Sequence, residues 1–153
     1  MTHTPPPFRL LPYLDELNEF FWTSGADGVL RMLHCTACSY VIHPPAPYCP
    51  TCGSTSTEPR ALSGRGTLYS YTVNHQPWDG VGDLYLVALV ELEEQSDVRL
   101  MTNLVDIEPE DVRIGMPVEV FFEERENDPP VYLPLFRPAG GTRTEPQAEE
   151  AQQ

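Results

Sequence analysis

Four thiols carry the most legible chemistry in the chain. Cys35, Cys38, Cys49 and Cys52 fall within HCTACSYVIHPPAPYCPTCGS (34–54) as C-x2-C-x10-C-x2-C, and no cysteine lies elsewhere. Each Cys-x-x-Cys makes a tight knuckle whose two sulfurs point at one centre. Two knuckles on adjacent hairpins supply the tetrahedron that zinc prefers, with Zn–S near ~2.3 Å. Pro50 fixes one dihedral and Gly53 tolerates positive φ, which suits a knuckle. A closed four-thiolate site has no open position for water or substrate, so one structural Zn2+ is expected, folding a small ribbon. His34 and His43 lie in the same stretch. With four sulfurs available they are read as loop hydrogen-bonding groups, and the four prolines of HPPAPYCP as stiffening a contact surface.

The residues that are missing also constrain the chemistry. The 153-residue chain has no lysine, so no Schiff-base or other lysine-dependent covalent step can be housed in it. The cysteine cluster consumes every thiol, which leaves no cysteine nucleophile. The nine cationic residues are arginines set against 23 acids, for a net charge of −14. Nucleic acid is therefore disfavoured as a partner, because affinity for phosphate backbones comes from clustered Lys and Arg. The start, MTHTPPPFRLLPYL, lacks the basic and long apolar runs of a secretory signal, and YLVALV (85–90) is far short of a membrane span. A cytoplasmic protein without a membrane partner is expected, in a compartment that keeps thiols reduced and favours metal over disulfides.

The elements that must position the thiols follow from composition and periodicity. At 41% apolar residues the chain suits a globular fold, and its 17 prolines favour short strands over long helices. The expected class is mainly β: an N-terminal helix, a four-cysteine zinc ribbon, then a five-stranded barrel of OB type. DELNEFFWTSG (15–25) reads as the helix, capped by Asp15 and closed by Gly25, with Leu17, Phe20 and Phe21 on one stripe and Trp22 beside it. That aromatic surface either packs on the rest of the chain or, through Phe20 and Trp22, meets a partner subunit. GVLRMLH enters the ribbon as a strand. GRGTLYSYTV (64–73), DLYLVALVELE (83–93), VRLMTNLVDI (98–107), MPVEVFFEE (116–124) and PVYLPLFRP (130–138) read as the barrel strands, with one helical turn in EPEDVRIG (108–115). The division expected is arm and helix 1–27, ribbon 28–60, barrel 61–138 and polar tail 139–153.

Other candidates are weaker. The loop VNHQPWDGVGD (73–83) holds His75, Trp78 and Asp79 where OB barrels commonly bind, so it either covers one barrel end or faces a partner or acyl chain. No carboxylate–His–nucleophile pattern surrounds His75, and no catalytic residue is assigned. Arg31, Arg60 and Arg65 lie near the ribbon–barrel junction, as candidates for a CoA phosphate or a partner carboxylate, or for pairing with surface acids.

The segments ELNEFFWTSGADGVLRMLHCTACSYVIHPPAPYCPTCGS, GRGTLYSYTV, YLVALVELEE and IGMPVEVFFEE together resemble the small acyl-CoA-associated family with a rubredoxin-like zinc ribbon followed by an OB fold. The likeness runs from about residue 11 to 138. It implies a companion subunit of a thiolase-fold enzyme: a thiolase, a hydroxymethylglutaryl-CoA-synthase-like protein, or a lipid-transfer-type aldolase of steroid side-chain degradation. Such a subunit helps shape a CoA-thioester site that it shares with the partner, and the partner does the chemistry. Some relatives carry a fused hydratase-like hot-dog domain; at this length a free-standing subunit is expected. Two alternatives stand beside it. CPTCG resembles a rubredoxin knuckle and tetrahedral sulfur accepts iron, as in an electron carrier, although CTACSY lacks the glycine that rubredoxins place after the second cysteine. An OB-type nucleic-acid binder is the other, and the charge opposes it.

Overall fold

The computed structural model describes residues 10–76 and 84–140. A turn at Asp15 leads into helix α1 (Glu19–Thr23) and a 3-10 turn (Ser24–Asp27). Strands β1 (Arg31–Cys35), β2 (Val41–Ile42) and β3 (Thr57–Ala61) form an antiparallel sheet in the order β2-β1-β3. Strands β4 (Arg65–Asn74), β5 (Tyr85–Leu92), β6 (Arg99–Leu104), β7 (Pro117–Arg125) and β8 (Val131–Pro138) close into a barrel ordered β4-β5-β6-β8-β7. A 3-10 turn at Pro109–Asp111 precedes β7, as the proline and acids of EPED predict.

Alternation explains the barrel walls. β5 alternates half-buried and buried residues along its whole length, the pattern of a strand with one face on a core. β4 does not, because its register with β5 shifts between Leu68 and Ser70. This bulge leaves Tyr69 outside, after which Tyr71 and Val73 return to the core. Gly66 permits the close approach of these two strands: a Cβ there would lie 2.5 Å from the Glu91 carbonyl oxygen.

Two expectations need correction. The helix is shorter than 15–25. Asp15 Oδ1 accepts from the N–H groups of Leu17 and Asn18 (both 2.9 Å), which makes a local turn, and the helix begins only at Glu19. Gly25 does not close it. Gly28, at φ 77, is the left-handed residue that ends the 3-10 turn, whereas Gly25 is buried against the barrel. Strands β2 and β3 were also not foreseen. β2 is only two residues long, and β3 contains Pro59, which a sheet tolerates on an edge strand such as this one.

One apolar cluster joins the parts. Phe21 of α1, Leu30, Met32 and Val41 of the ribbon side, and Val90, Val118 and Phe136 of the barrel belong to the same buried set. A polar latch adds to it at the turn between β5 and β6. The Gln95 side chain accepts from the Val41 N–H (2.9 Å) and donates to the Val41 carbonyl (3.2 Å), so its amide takes the place of a strand along the free edge of β2. Tyr40 donates from its hydroxyl to Asp97 (2.9 Å) beside it. Gln95→Ala leaves both Val41 groups without these bonds and is expected to cost about 2 kcal/mol. Hydrogen exchange should show faster exchange at Val41 than in the wild type, with the barrel strands unchanged.

Candidate metal centre and adjoining surfaces

The two knuckles are built alike. Cys35 N–H donates to the Tyr40 carbonyl (2.9 Å) and Ser39 N–H to the Cys35 carbonyl (2.9 Å); Cys49 N–H donates to Ser54 (2.8 Å) and Gly53 N–H to Cys49 (2.9 Å). The equivalent fifth residues, Ser39 and Gly53, both take the left-handed conformation, at φ 63 and 75. Serine thus occupies a position where glycine carries no Cβ penalty. Ser39→Gly is expected to stabilise the ribbon by about 1 kcal/mol, read as a higher midpoint in denaturant.

Ligand atoms of Cys35, Cys38, Cys49 and Cys52 all lie within 4.8 Å of one another. The Cys35–Cys52 and Cys38–Cys49 sulfurs are 3.6 Å apart, close to the edge of about 3.8 Å in a tetrahedron with Zn–S near 2.3 Å. Cys35 and Cys49 are buried, and Cys38 and Cys52 lie on the exposed side of the cluster. The sulfurs do not share a common acidity. Burial raises the Cys49 thiol, but N–H donors at Cys52 and Thr51 and the Cys38 thiol outweigh it and bring it down to about 7. At Cys38 the Tyr40 N–H favours the thiolate, yet burial and the other three sulfurs push it up to about 12. Four thiolates this close repel one another, so full deprotonation needs a cation at the centre, and the donor set fits a divalent tetrahedral ion. Cys35 to Cys52 would hold it, closing the coordination shell and fixing the ribbon.

The other candidates are dispersed. Arg31 forks onto Asp27 through 2.9 and 2.7 Å bonds and holds that carboxyl down at about 2, and Arg65 meets Glu93 at 2.9 Å. Arg99, Arg125 and Arg137 are likewise paired with Glu91, Glu123 and Glu119. Arg60 is exposed on β3. Phe20 and Trp22 are half-buried and pack against the common core, Trp22 edge-on to Phe21 at 4.8 Å. His75 is exposed just beyond β4, and Trp78 and Asp79 lie outside the described residues. Sequence reasoning did not foresee Gln95, Tyr40 and Asp97. Nothing in EEQSD marks a latch, since its role exists only once the ribbon folds over the turn.

His43 has a measurable consequence. Its ring lies 5.1 Å from Phe21, its Nδ1 is buried without a partner among the described residues, and burial lowers its pKa from 6.5 to about 4. Between these values the unfolded chain binds a proton that the folded chain does not, so stability falls as pH drops from 6.5 to 4. The expected loss is about 2 kcal/mol, discounted from the full shift because the ring is only half-buried. Urea unfolding of wild type and His43→Gln across this window isolates it, since the acid sensitivity of the thiolates is common to both.

A four-cysteine ribbon joined to a closed five-stranded barrel defines a zinc ribbon–OB protein. Residues 22–58 match the family model described as the ChsH2 rubredoxin-like zinc ribbon domain, and residues 59–123 that of the ChsH2 C-terminal OB-fold domain. A solved structure described as an Ltp2-ChsH2(DUF35) aldolase superposes with TM-score 0.74 at 40% identity, covering 84% of this chain and 99% of that one. A "DUF35 domain-containing scaffold protein" of Methanocaldococcus jannaschii is 39% identical over 99 residues, 63% of this chain and 69% of the relative. The chain belongs to the ChsH2/DUF35 family. A "Probable enoyl-CoA hydratase alpha subunit" of Thermomonospora curvata is 41% identical over 136 residues, 88% of this chain. The chain spans only 41% of that relative's length. No helix among the described residues is long and apolar enough to cross a membrane.

Proposed function

We propose that the chain is a small, non-catalytic subunit that binds a thiolase-fold or lipid-transfer-type aldolase partner and helps form its acyl-CoA site. The reaction served is cleavage of a carbon–carbon bond in an acyl-CoA, by retro-aldol chemistry or thiolysis, with a steroid-CoA as one candidate substrate. The divisions at residues 27, 60 and 138 are part of the same proposal. So is a single structural Zn2+ on Cys35, Cys38, Cys49 and Cys52, with the CoA thioester shared between subunits.

The observation that carries this reading is the placement of the nucleophiles. Every thiol converges on one cluster and these 153 residues hold no lysine, so thiolytic or Schiff-base chemistry needs groups from outside them. The similar proteins, an Ltp2-ChsH2(DUF35) aldolase and a DUF35 domain-containing scaffold protein, point the same way. Phe20 and Trp22 stand as partner contacts and His75, Trp78 and Asp79 as loop contacts. Arg31 and Arg65 could reach a CoA phosphate only by leaving Asp27 and Glu93.

The test is co-expression with a thiolase-fold protein and assay of acyl-CoA cleavage by the isolated chain and by the pair. A stable pair that turns over, beside an inert single chain, is the expected result. Turnover by this chain alone would sink the proposal. A red, iron-containing preparation would favour the electron-carrier alternative.

A further inference from the structure

Large apolar side chains near the start of the described chain are left uncovered: Leu10 is 81% and Tyr13 85% exposed. The chain is nevertheless anchored from Tyr13 onward. Leu14 packs on the cluster formed by Val131, Leu133 and Leu135 of β8. Asn18 Nδ2 donates to the Tyr13 carbonyl, and the Asp15 N–H donates to Asn18 Oδ1, both at 3.1 Å. Exposed apolar groups on and beside a clamped segment mark a surface that another molecule covers.

Beside them, α1, the loop after β2 and the seam between β6 and β8 leave a cleft of about 310 Å³. The seam is where the barrel ladder is thinnest, with Leu104 opposite Phe136 as its single register pair. Buried Phe21, Leu100 and Pro134 make an apolar floor, while Trp22 and Pro45 flank it and Asp15 stands exposed at the rim. The polar character of this cleft is one-sided. Among the described residues no Arg or Lys lines it, and the His43 ring that does is kept neutral by burial. The Asn18 amide is spent on Tyr13 and Asp15. Asp15 Oδ1 takes the Leu17 and Asn18 N–H groups, which leaves Oδ2 without a hydrogen bond among the described residues. A carboxylate beside an indole, over an apolar floor, suits a guanidinium or ammonium whose stem lies on the apolar wall. The net charge of −14 favours a basic partner surface.

We infer that this face docks a partner polypeptide through an Arg or Lys side chain, which enters the cleft to meet Asp15 and Trp22 while apolar partner residues cover Leu10 and Tyr13. The inference rests on the proposed subunit role and adds the chemistry of the contact.

Asp15→Asn separates charge from fold, because it keeps the Oδ1 acceptor that makes the local turn. Two arms test the contact. In the first, wild-type chain, Asp15→Asn and Tyr13→Ser are titrated against the co-purified thiolase-fold partner at low and high salt. Binding by the wild type should weaken with salt; Asp15→Asn should bind about tenfold more weakly and lose most of that salt dependence. Tyr13→Ser should also weaken binding, with the melting temperatures of both variants unchanged. In the second arm, arginine amide is titrated and followed by NMR. Shifts at Trp22 and His43 that Asp15→Asn abolishes are expected, and this arm reads the cleft whether or not a partner is in hand. Wild-type affinity in both variants would overturn the inference while leaving the subunit role standing. Absence of any arginine-amide shift at Trp22, or self-association of the chain that Asp15→Asn removes, would also overturn it.

Discussion

Cys49→Ser is expected to unfold the ribbon and to destabilise the barrel with it. Structural zinc in comparable four-ligand modules contributes on the order of 10 kcal/mol, while whole domains are stable by only about 5–15 kcal/mol. Losing the site therefore removes a term as large as the net stability. The damage spreads because Leu30, Met32 and Val41 share one buried cluster with Val90, Val118 and Phe136. When the ribbon opens, that cluster loses one wall. Zinc content should fall to none per chain, and hydrogen exchange should accelerate in β1 to β3 and, less strongly, in the barrel. A strong chelator added to the reduced wild type should give the same pattern. If melting drops by only a few degrees and exchange is unchanged, the cluster does not hold the fold together.

Gly25→Ala is expected to cost about 3 kcal/mol, at the upper end for a single added methyl in a packed site. A Cβ at this position would lie 2.6 Å from Phe122 Cε1 and 2.8 Å from Tyr132 Cβ. The Phe122 ring could rotate, but the Tyr132 contact is at the root of its side chain and can be relieved only by moving β8 or the 3-10 turn. Helix α1 would then lift from the barrel, carrying Phe21 and Trp22 out of their places. The cleft beside Asp15 would widen. Urea unfolding should show the lowered midpoint, and Trp fluorescence the greater exposure of Trp22. Wild-type stability in this variant would mean that the turn is not packed against the barrel as described.

These two residues show what a single sequence can and cannot reveal. The cysteine spacing is a local pattern with a local cause: each Cys-x-x-Cys folds its own knuckle, so four positions in one short stretch were enough to expect convergence. The barrel strands were legible for a similar reason. The alternation in YLVALVEL persists because one face of β5 meets the core, and the proline and acids of EPED mark the turn before β7. Gly25 was misread because a glycine after an apolar run has two physical uses. It can end a helix by turning left-handed, or it can let two elements approach, and only the packed structure tells them apart. Gly28 serves the first purpose and Gly25 the second. β2 and β3 were missed because a two-residue strand and a strand containing Pro59 carry no periodicity, and their pairing with β1 supplies the order. The latch at Gln95 and the cleft beside Asp15 are further from reach still. Each joins residues distant in sequence, and their polar side chains look like ordinary surface until those segments meet.

The most direct measurement is native mass spectrometry of the reduced chain co-expressed with a thiolase-fold protein. A complex holding both polypeptides, with one zinc for each copy of this chain, is the expected result. A metal-free or disulfide-bonded chain that remains alone beside its intended partner would contradict both the scaffold role of the four sulfurs and the dependence on a second subunit.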